Sequence, residues 1–270
     1  PTTPTWDIVS ANDEIRSGLD KADAQGGYVL LLGLKDRRTM SHALSATDCN
    51  VIAVDANAEK VSSFRKWLHR AGLHRDQATV LVGDPLSCPL PPLLASLIVC
   101  DDISLVTKRE IDHSHLQSIA RLLRPYGGPA CLRTSEAERE QIQTAFQRAA
   151  PPGVKLKVTE HYAMLTREGG LPDAADWSHA AGNAANAGAS QDRFLKPPLG
   201  MLWFDGSLRW HRKPGSAEVR ISGGRAIVLA DRMHAIDVFT GRRLWQRGLP
   251  PGVTSRSQLV VVGKNIFVGA

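Results

Sequence analysis

Three short apolar runs end in carboxylates: Val51-Ile-Ala-Val-Asp55, Leu81-Val-Gly-Asp84 and Leu97-Ile-Val-Cys-Asp101, with Asp102 directly after the last. A fourth run, Tyr28-Val-Leu-Leu-Leu, ends in Gly33. A carboxylate at the end of a buried strand can accept hydrogen bonds from a ligand lying across the strand ends. Asp55, 22 residues after Gly33, stands where a nucleotide-binding sheet holds both ribose hydroxyls. The competing use of such residues is to cap the next helix or close a turn.

Other groups able to do chemistry are fewer. His113 and His115 flank the start of a helical stretch, where Asp102 could orient one of them as a base, although solvated histidines fit the same pattern. Two positions apart they do not share a helix face, which argues against a metal pair. Cys49, Cys88, Cys100 and Cys131 show no CxxC or Cys/His spacing, and three sit in or beside apolar runs, as buried free thiols do. No metal site is expected, and no catalytic residue is assigned.

These residues are positioned by a strict alternation of elements. Strands at Tyr28–Gly33, Val51–Val54, Thr79–Val82, Leu94–Val99 and Gly128–Leu132 alternate with helices at Arg38–Ala46, Asn57–Ala71, Ile111–Leu123 and Glu136–Ala149. Two closing strands, Val154–Glu160 and Tyr162–Arg167, follow. Continuous apolar runs of this kind belong to strands covered on both faces, so the expected class is α/β, a Rossmann-like doubly wound sheet with its ligand crevice at the carboxyl strand ends.

On these residues the stretch from 28 to 166 resembles the class I S-adenosylmethionine-dependent methyltransferases. The most specific match is Leu122-Leu-Arg-Pro-Tyr-Gly-Gly128, similar to the Leu-x-Pro-Gly-Gly turn before the fifth strand. The resemblance implies S-adenosylmethionine as cofactor, contacts from Gly33, Asp36, Asp55, Asp84, Pro85 and Asp101, and an unspecified methyl acceptor. It assigns the ribose to Asp55 and the adenine to Asp84 with Pro85. It also implies that the closing strands form an antiparallel hairpin. The first loop departs from the family: Leu31 replaces the acid, and Lys35 and Arg37 stand where glycines are usual. That places two long side chains at the crevice, with Asp36 as a stand-in for the missing acid. The Asn-Pro-Pro-Tyr-like motif of amino-methylating members is also missing, since the chain reads Asp101-Asp102-Ile-Ser.

Composition changes near Gly170. Glu168-Gly-Gly-Leu-Pro-Asp is a break, and four of the six tryptophans lie between Trp177 and Trp245. The expected domains are therefore 1–170 and 171–270. In the second, Val219–Ala230 is echoed forty residues later by Leu259–Ala270, a propeller-like period. Met233-His-Ala-Ile-Asp-Val-Phe-Thr-Gly-Arg-Arg-Leu-Trp245 is similar to the blade signature of pyrroloquinoline-quinone-like propellers. Asp176-Trp-Ser-His-Ala-Ala-Gly-Asn resembles their opening, and Pro197-Pro-Leu-Gly-Met-Leu-Trp-Phe204 looks like a first blade strand. Asp237, Thr240 and Gly241 make a turn on this reading, and Trp245 is a plug between blades. One blade and the start of another cannot close a ring, so the sequence reads as a piece of a longer protein, and the repeat alone does not imply a bound quinone.

The net charge is +6, but it is not spread evenly. Residues 191–256 hold twelve Lys and Arg against five Asp and Glu, leaving the rest near neutral, which fits a solvated basic face better than a nucleic-acid surface. No apolar run is long enough for a membrane span. The expected partners are the methyl acceptor and the remaining propeller blades. The two resemblances pull toward different compartments: cytoplasm for an active methyltransferase, periplasm or export if the propeller governs. Three readings follow: a methyltransferase fused to a propeller, a non-catalytic Rossmann-like module of a propeller protein, and a piece of a quinoprotein dehydrogenase.

Overall fold

The computed structural model describes residues 27–46, 49–73, 77–107, 110–203, 217–255 and 257–269. The chain divides between Glu168 and Gly169 into two units.

In the first unit, alternation of side chains across a pleat decides which helix covers which face. Strands β1 (Tyr28–Leu32), β2 (Asn50–Asp55), β3 (Ala78–Val82), β4 (Ala95–Cys100), β5 (Gly128–Arg133), β6 (Val154–Val158) and β7 (Tyr162–Arg167) form one sheet in the order β3-β2-β1-β4-β5-β7-β6. The first five are parallel, and β7 lies antiparallel between β5 and β6. The closing hairpin thus has the form that the resemblance implied. Leu30 and Leu32 pack with Leu116, Ile119 and Leu122 of α3 (His113–Leu122) and Ile142 of α4 (Glu136–Arg148). Leu31 points to the opposite face and packs with Met40 of α1 (Arg37–Ala46) and Val61, Phe64 and Leu68 of α2 (Ala58–Arg70). β4, central in the sheet, is buried at every position, as its unbroken apolar run requires.

Helix starts are set by caps rather than by apolar periodicity, and this trims the expected ranges. Asn57 accepts from the Lys60 amide at 2.9 Å, so α2 begins one residue later than its pattern. Asp112 accepts from the Ser114 and His115 amides and delays α3 by two residues. Ser135 and Glu138 form a reciprocal capping box at α4. The α3–β5 turn is held by Arg124, whose amide donates to Ala95 O at 2.9 Å and whose carbonyl accepts from Gly128 at 3.2 Å. A Cβ at Gly128 would lie 2.5 Å from Arg124 O and 3.1 Å from Ala95 O, so only glycine fits this turn.

The second unit is all β. Strands β8 (Glu218–Ser222), β9 (Arg225–Leu229), β10 (Met233–Asp237) and β11 (Arg243–Arg247) make an antiparallel meander in sequence order. A separate hairpin pairs β12 (Leu259–Val262) with β13 (Asn265–Val268). The forty-residue echo is a repeat of hairpins: Ser222 faces Arg225 across Gly223-Gly224, and Val262 faces Asn265 across Gly263-Lys264. Asp176 accepts from Ser222 Oγ at 2.9 Å and from the Gly223 amide, while Trp177 exchanges both backbone bonds with Ile221. Among the described residues the strands form one meander and one hairpin, not a closed ring.

The expected strand at 197–204 is corrected. Residues 197–203 form no strand, and Phe204 lies outside the described residues. Pro197 and Pro198 have no amide to give a ladder. Trp203 instead donates its indole N–H to Val238 O at 2.8 Å and lays its ring against Gly241. Gly241, at φ 72°, donates to Asp237 O at 2.8 Å, and Asp237 accepts from the Phe239 amide at 2.9 Å. The turn therefore forms through Asp237 and Gly241, while the buried Thr240 hydroxyl makes no hydrogen bond among the described residues, and there is an additional constraint: the space a Cβ would need belongs to Trp203.

Gly128→Ala is expected to destabilise the first unit by roughly 1–3 kcal/mol, the usual cost of forcing atoms into filled space, read as a lower urea midpoint. Gly241→Ala is expected to expel the Trp203 ring, read as a red shift and stronger quenching of tryptophan emission with the far-ultraviolet spectrum unchanged.

Candidate functional site

The sheet order reverses at β1, which has β2 on one side and β4 on the other, so a crevice is expected outside the carboxyl ends of these strands. Every sequence-derived site residue sits at this end, but they are not equally free. Gly33, with φ 74°, continues the ladder by donating to Val54 O at 2.9 Å. A Cβ there would lie 3.2 Å from Leu105 Cβ and 3.4 Å from Val106 Cγ2. The bare backbone that a cofactor would approach is thus covered by the 3-10 turn after β4 (Ile103–Leu105) and the residue that follows it.

Asp55 is only 6% exposed. Its Oδ2 accepts from the Leu34 amide at 2.7 Å and lies 3.4 Å from Lys60 Nζ, while Oδ1 accepts from the Asn57 amide at 2.7 Å. These are the bonds of a carboxylate that holds the first loop, its own turn and α2 together. Asp36 is similarly occupied: it accepts from the Arg38 amide at 2.8 Å and pairs with the Arg38 guanidinium at 2.9 Å.

Asp101 is held by the Thr39 hydroxyl from α1. Burial pushes its carboxyl above the ordinary range, the Thr39 hydrogen bond draws it back, and nearby Asp36 adds to the rise, while Lys35 and Arg133 oppose it. The adjoining Cys100 thiol is pushed up to about 12 by burial and stays protonated. Asp102 does not orient a histidine. It caps the 3-10 turn, accepting from the Ser104 amide at 3.1 Å and the Ser104 hydroxyl at 2.5 Å. His115 is engaged by Asp112 instead, at 2.9 Å, and the Ser114 hydroxyl helps hold the Asp112 carboxyl down to about 2. Both departures have one cause: a carboxylate next to a helix start bonds the nearest free amides before it reaches a distant side chain.

The carboxyl end of β3 is more open. Asp84 is half-buried, and its Oδ1 accepts from the Leu86 amide at 2.9 Å, while Pro85 is buried beneath it. Beside it lies a pocket of about 280 Å³, lined by Asp84, Leu86, Ser87, Val106, His115 and two serines of α3, Ser114 and Ser118. Apolar walls from Leu86 and Val106 and a ring of hydroxyls and one carboxylate suit a flat polar heterocycle.

The two long side chains of the first loop part: Lys35 stays near enough to Asp101 to oppose the rise of its carboxyl. Lys35 is exposed, and Arg37 leaves the crevice for the outer surface of α2, where it reaches Ser63 and Trp67. The residues that obstruct Gly33 are Leu105 and Val106, which no local motif flags because they lie more than seventy positions away in sequence. Thr39 and Lys60 were also missed, although helix spacing after Gly33 and Asp55 could have pointed to both. Among the described residues, no group of three His, Cys, Asp or Glu side chains is placed to hold a metal ion, and no helix is long and apolar enough to cross a membrane.

Several solved structures are similar to the first part of the chain. A provisionally assigned S-adenosyl-L-methionine-dependent methyltransferase from Methanococcus maripaludis is 15% identical with a TM-score of 0.47, over 60% of this chain and 83% of that one. A SAM-dependent O-methyltransferase from Thermotoga maritima is 12% identical with a TM-score of 0.44, over 58% of this chain and 63% of that one. A geranyl diphosphate methyltransferase solved in complex with SAM is 14% identical with a TM-score of 0.43, over 57% and 84% of the two chains. At these values the likeness adds nothing to the topology already seen. No protein-family model matches the chain, and no curated protein matches it.

Asp55→Ala is expected to cost roughly 2–3 kcal/mol of stability in the absence of any ligand, because buried amides lose their acceptor. Asp55→Asn should lose less, since one oxygen remains. Urea unfolding of the three proteins checks this. For Asp101 the folded carboxyl binds its proton more tightly than the unfolded one, so its contribution to stability is present at low pH and lost as pH rises through the folded pKa. Asp101→Asn should therefore gain stability relative to the parent as pH rises above about 4, read from paired urea midpoints.

Proposed function

We propose that the first unit is an S-adenosylmethionine-binding domain of the class I methyltransferase type, and that the second unit belongs to a quinoprotein-like propeller. The observation that carries the first statement is the pocket beside Asp84, at the carboxyl end of β3, with Leu86 and Val106 as walls. On this reading the adenine enters that pocket and its exocyclic amine meets Asp84. The ribose and methionine run toward Gly33 and Asp101. The parallel sheet with an antiparallel strand between β5 and β6 supports the same family. Methyl transfer needs mainly alignment of acceptor, methyl and sulfur, and on this reading the Asp101 carboxylate, bonded to Thr39, would take a proton from an acceptor that must lose one. For the cofactor to lie along β1, Leu105 must move off Gly33, and Asp55 must exchange a chain donor for ribose. The propeller reading is supported by the repeated glycine hairpins and the Asp237–Gly241 turn.

The covered Gly33 and the fully engaged Asp55 favour a second reading: a Rossmann-like module that keeps the fold without the cofactor and serves the propeller as a scaffold. Calorimetric titration of the chain with S-adenosylmethionine, S-adenosylhomocysteine and adenosine separates the two. The first reading expects saturable binding, weakened about tenfold by Asp84→Ala through loss of one charge-assisted hydrogen bond and strengthened by Leu105→Ala. Absence of heat with all three ligands, in parent and Leu105→Ala alike, overturns it and leaves the scaffold.

A further inference from the structure

Arg37 opens onto a groove that the crevice does not include. Its Nη2 donates to Ser63 Oγ at 3.3 Å, and its guanidinium carbon sits 5.7 Å from the Trp67 ring centroid. Around it, α2 contributes Glu59, Ser62, Ser63, Lys66 and Arg70, spaced to share one exposed helix face. The groove measures about 350 Å³. The neighbouring cations are accounted for elsewhere: Arg38 pairs with Asp36, and Arg65 donates to Val80 O. Among the described residues, none of Arg37, Lys66 and Arg70 has a carboxylate within ion-pair distance. Glu59 is, among the described residues, the single negative group lining the groove.

Three cations face this space against the one carboxylate of Glu59, which leaves an excess of positive charge that a bound anion would relieve. Arg37 is also held in advance. Ser63 and Trp67 hold its guanidinium beside α2 and leave most of its N–H donors unspent, which suits a tetrahedral oxyanion that takes several charge-assisted bonds. The serine hydroxyls supply further donors. We propose that this groove is a phosphate-binding site, taking either free phosphate or the phosphoryl group of a small phosphate ester. It shares no lining residue with the Asp84 pocket, and it does not depend on whether S-adenosylmethionine binds. It also gives Arg37, which stands where the methyltransferase pattern has glycine, a use outside the crevice.

The test is calorimetric titration of the full chain with inorganic phosphate at fixed ionic strength, beside a chloride control. Saturable one-to-one binding is expected, weakened at least about tenfold in Lys66→Glu and in Arg70→Glu, the worth of one charge-assisted contact. Glu59→Gln is expected to tighten it. Arg37→Gly should also weaken it, with circular dichroism checking that the first loop still folds; the two α2 substitutions are on the surface and keep the test decisive if it does not. Heats that do not saturate, that chloride reproduces, or that all three cation variants retain overturn the proposal. A tighter response to glycerol phosphate than to phosphate identifies an ester as the source, and equal responses identify the free ion.

Discussion

The carboxylate of Asp55, buried at the end of β2, is the point on which the first unit's ligand end depends. It gathers an amide from the loop after β1, an amide from its own turn and the ammonium of α2. Burying a charge is costly unless its oxygens are satisfied, and here the satisfying donors are the very segments that would otherwise have to open around a ligand. The first loop is therefore tied to the second strand, the position of Gly33 follows from that tie, and the approach of Leu105 and Val106 to Gly33 becomes possible because the loop is held close to the sheet.

This constraint shapes the chemistry of the crevice unevenly. At β1 and β2 the chain satisfies itself, so anything that binds there competes with existing hydrogen bonds. At β3 it leaves a pocket whose walls and polar rim are already formed. A ligand with a planar, polar end would meet a preformed half and a closed half, and its affinity would be set by the cost of opening the latter. The second unit follows the same logic on a smaller scale, since Trp203 fills the space above Gly241 and anchors its indole on Val238, tying the segment before β8 to the β10–β11 turn.

Much of the architecture was legible in the sequence. The order of strands and helices in the first unit and the repeat of Val219–Ala230 by Leu259–Ala270 follow from local patterns that neighbouring residues encode, while the glycine turn before β5 and the closing hairpin were implied by the family resemblance. Helix starts were displaced by one or two residues because Asn57 and Asp112 cap them, and capping oxygens override apolar spacing at the ends. The reading of Pro197–Phe204 as a first blade strand rested on likeness to a blade, and residues 197–203 form no strand because two prolines remove ladder donors.

The sequence by itself determined that four strand ends would meet with Gly33, Asp55, Asp84 and Asp101 on one edge, because alternation places consecutive parallel strands in register with their carboxyl ends together. Only the tertiary structure decided what those groups touch. Asp55 is spent on Leu34, 21 residues away, Asp101 on Thr39, 62 away, and Arg37 turns to Ser63, 26 away. The side-chain destinations depend on which distant surface folding brings within about 3 Å, and no local pattern carries that distance.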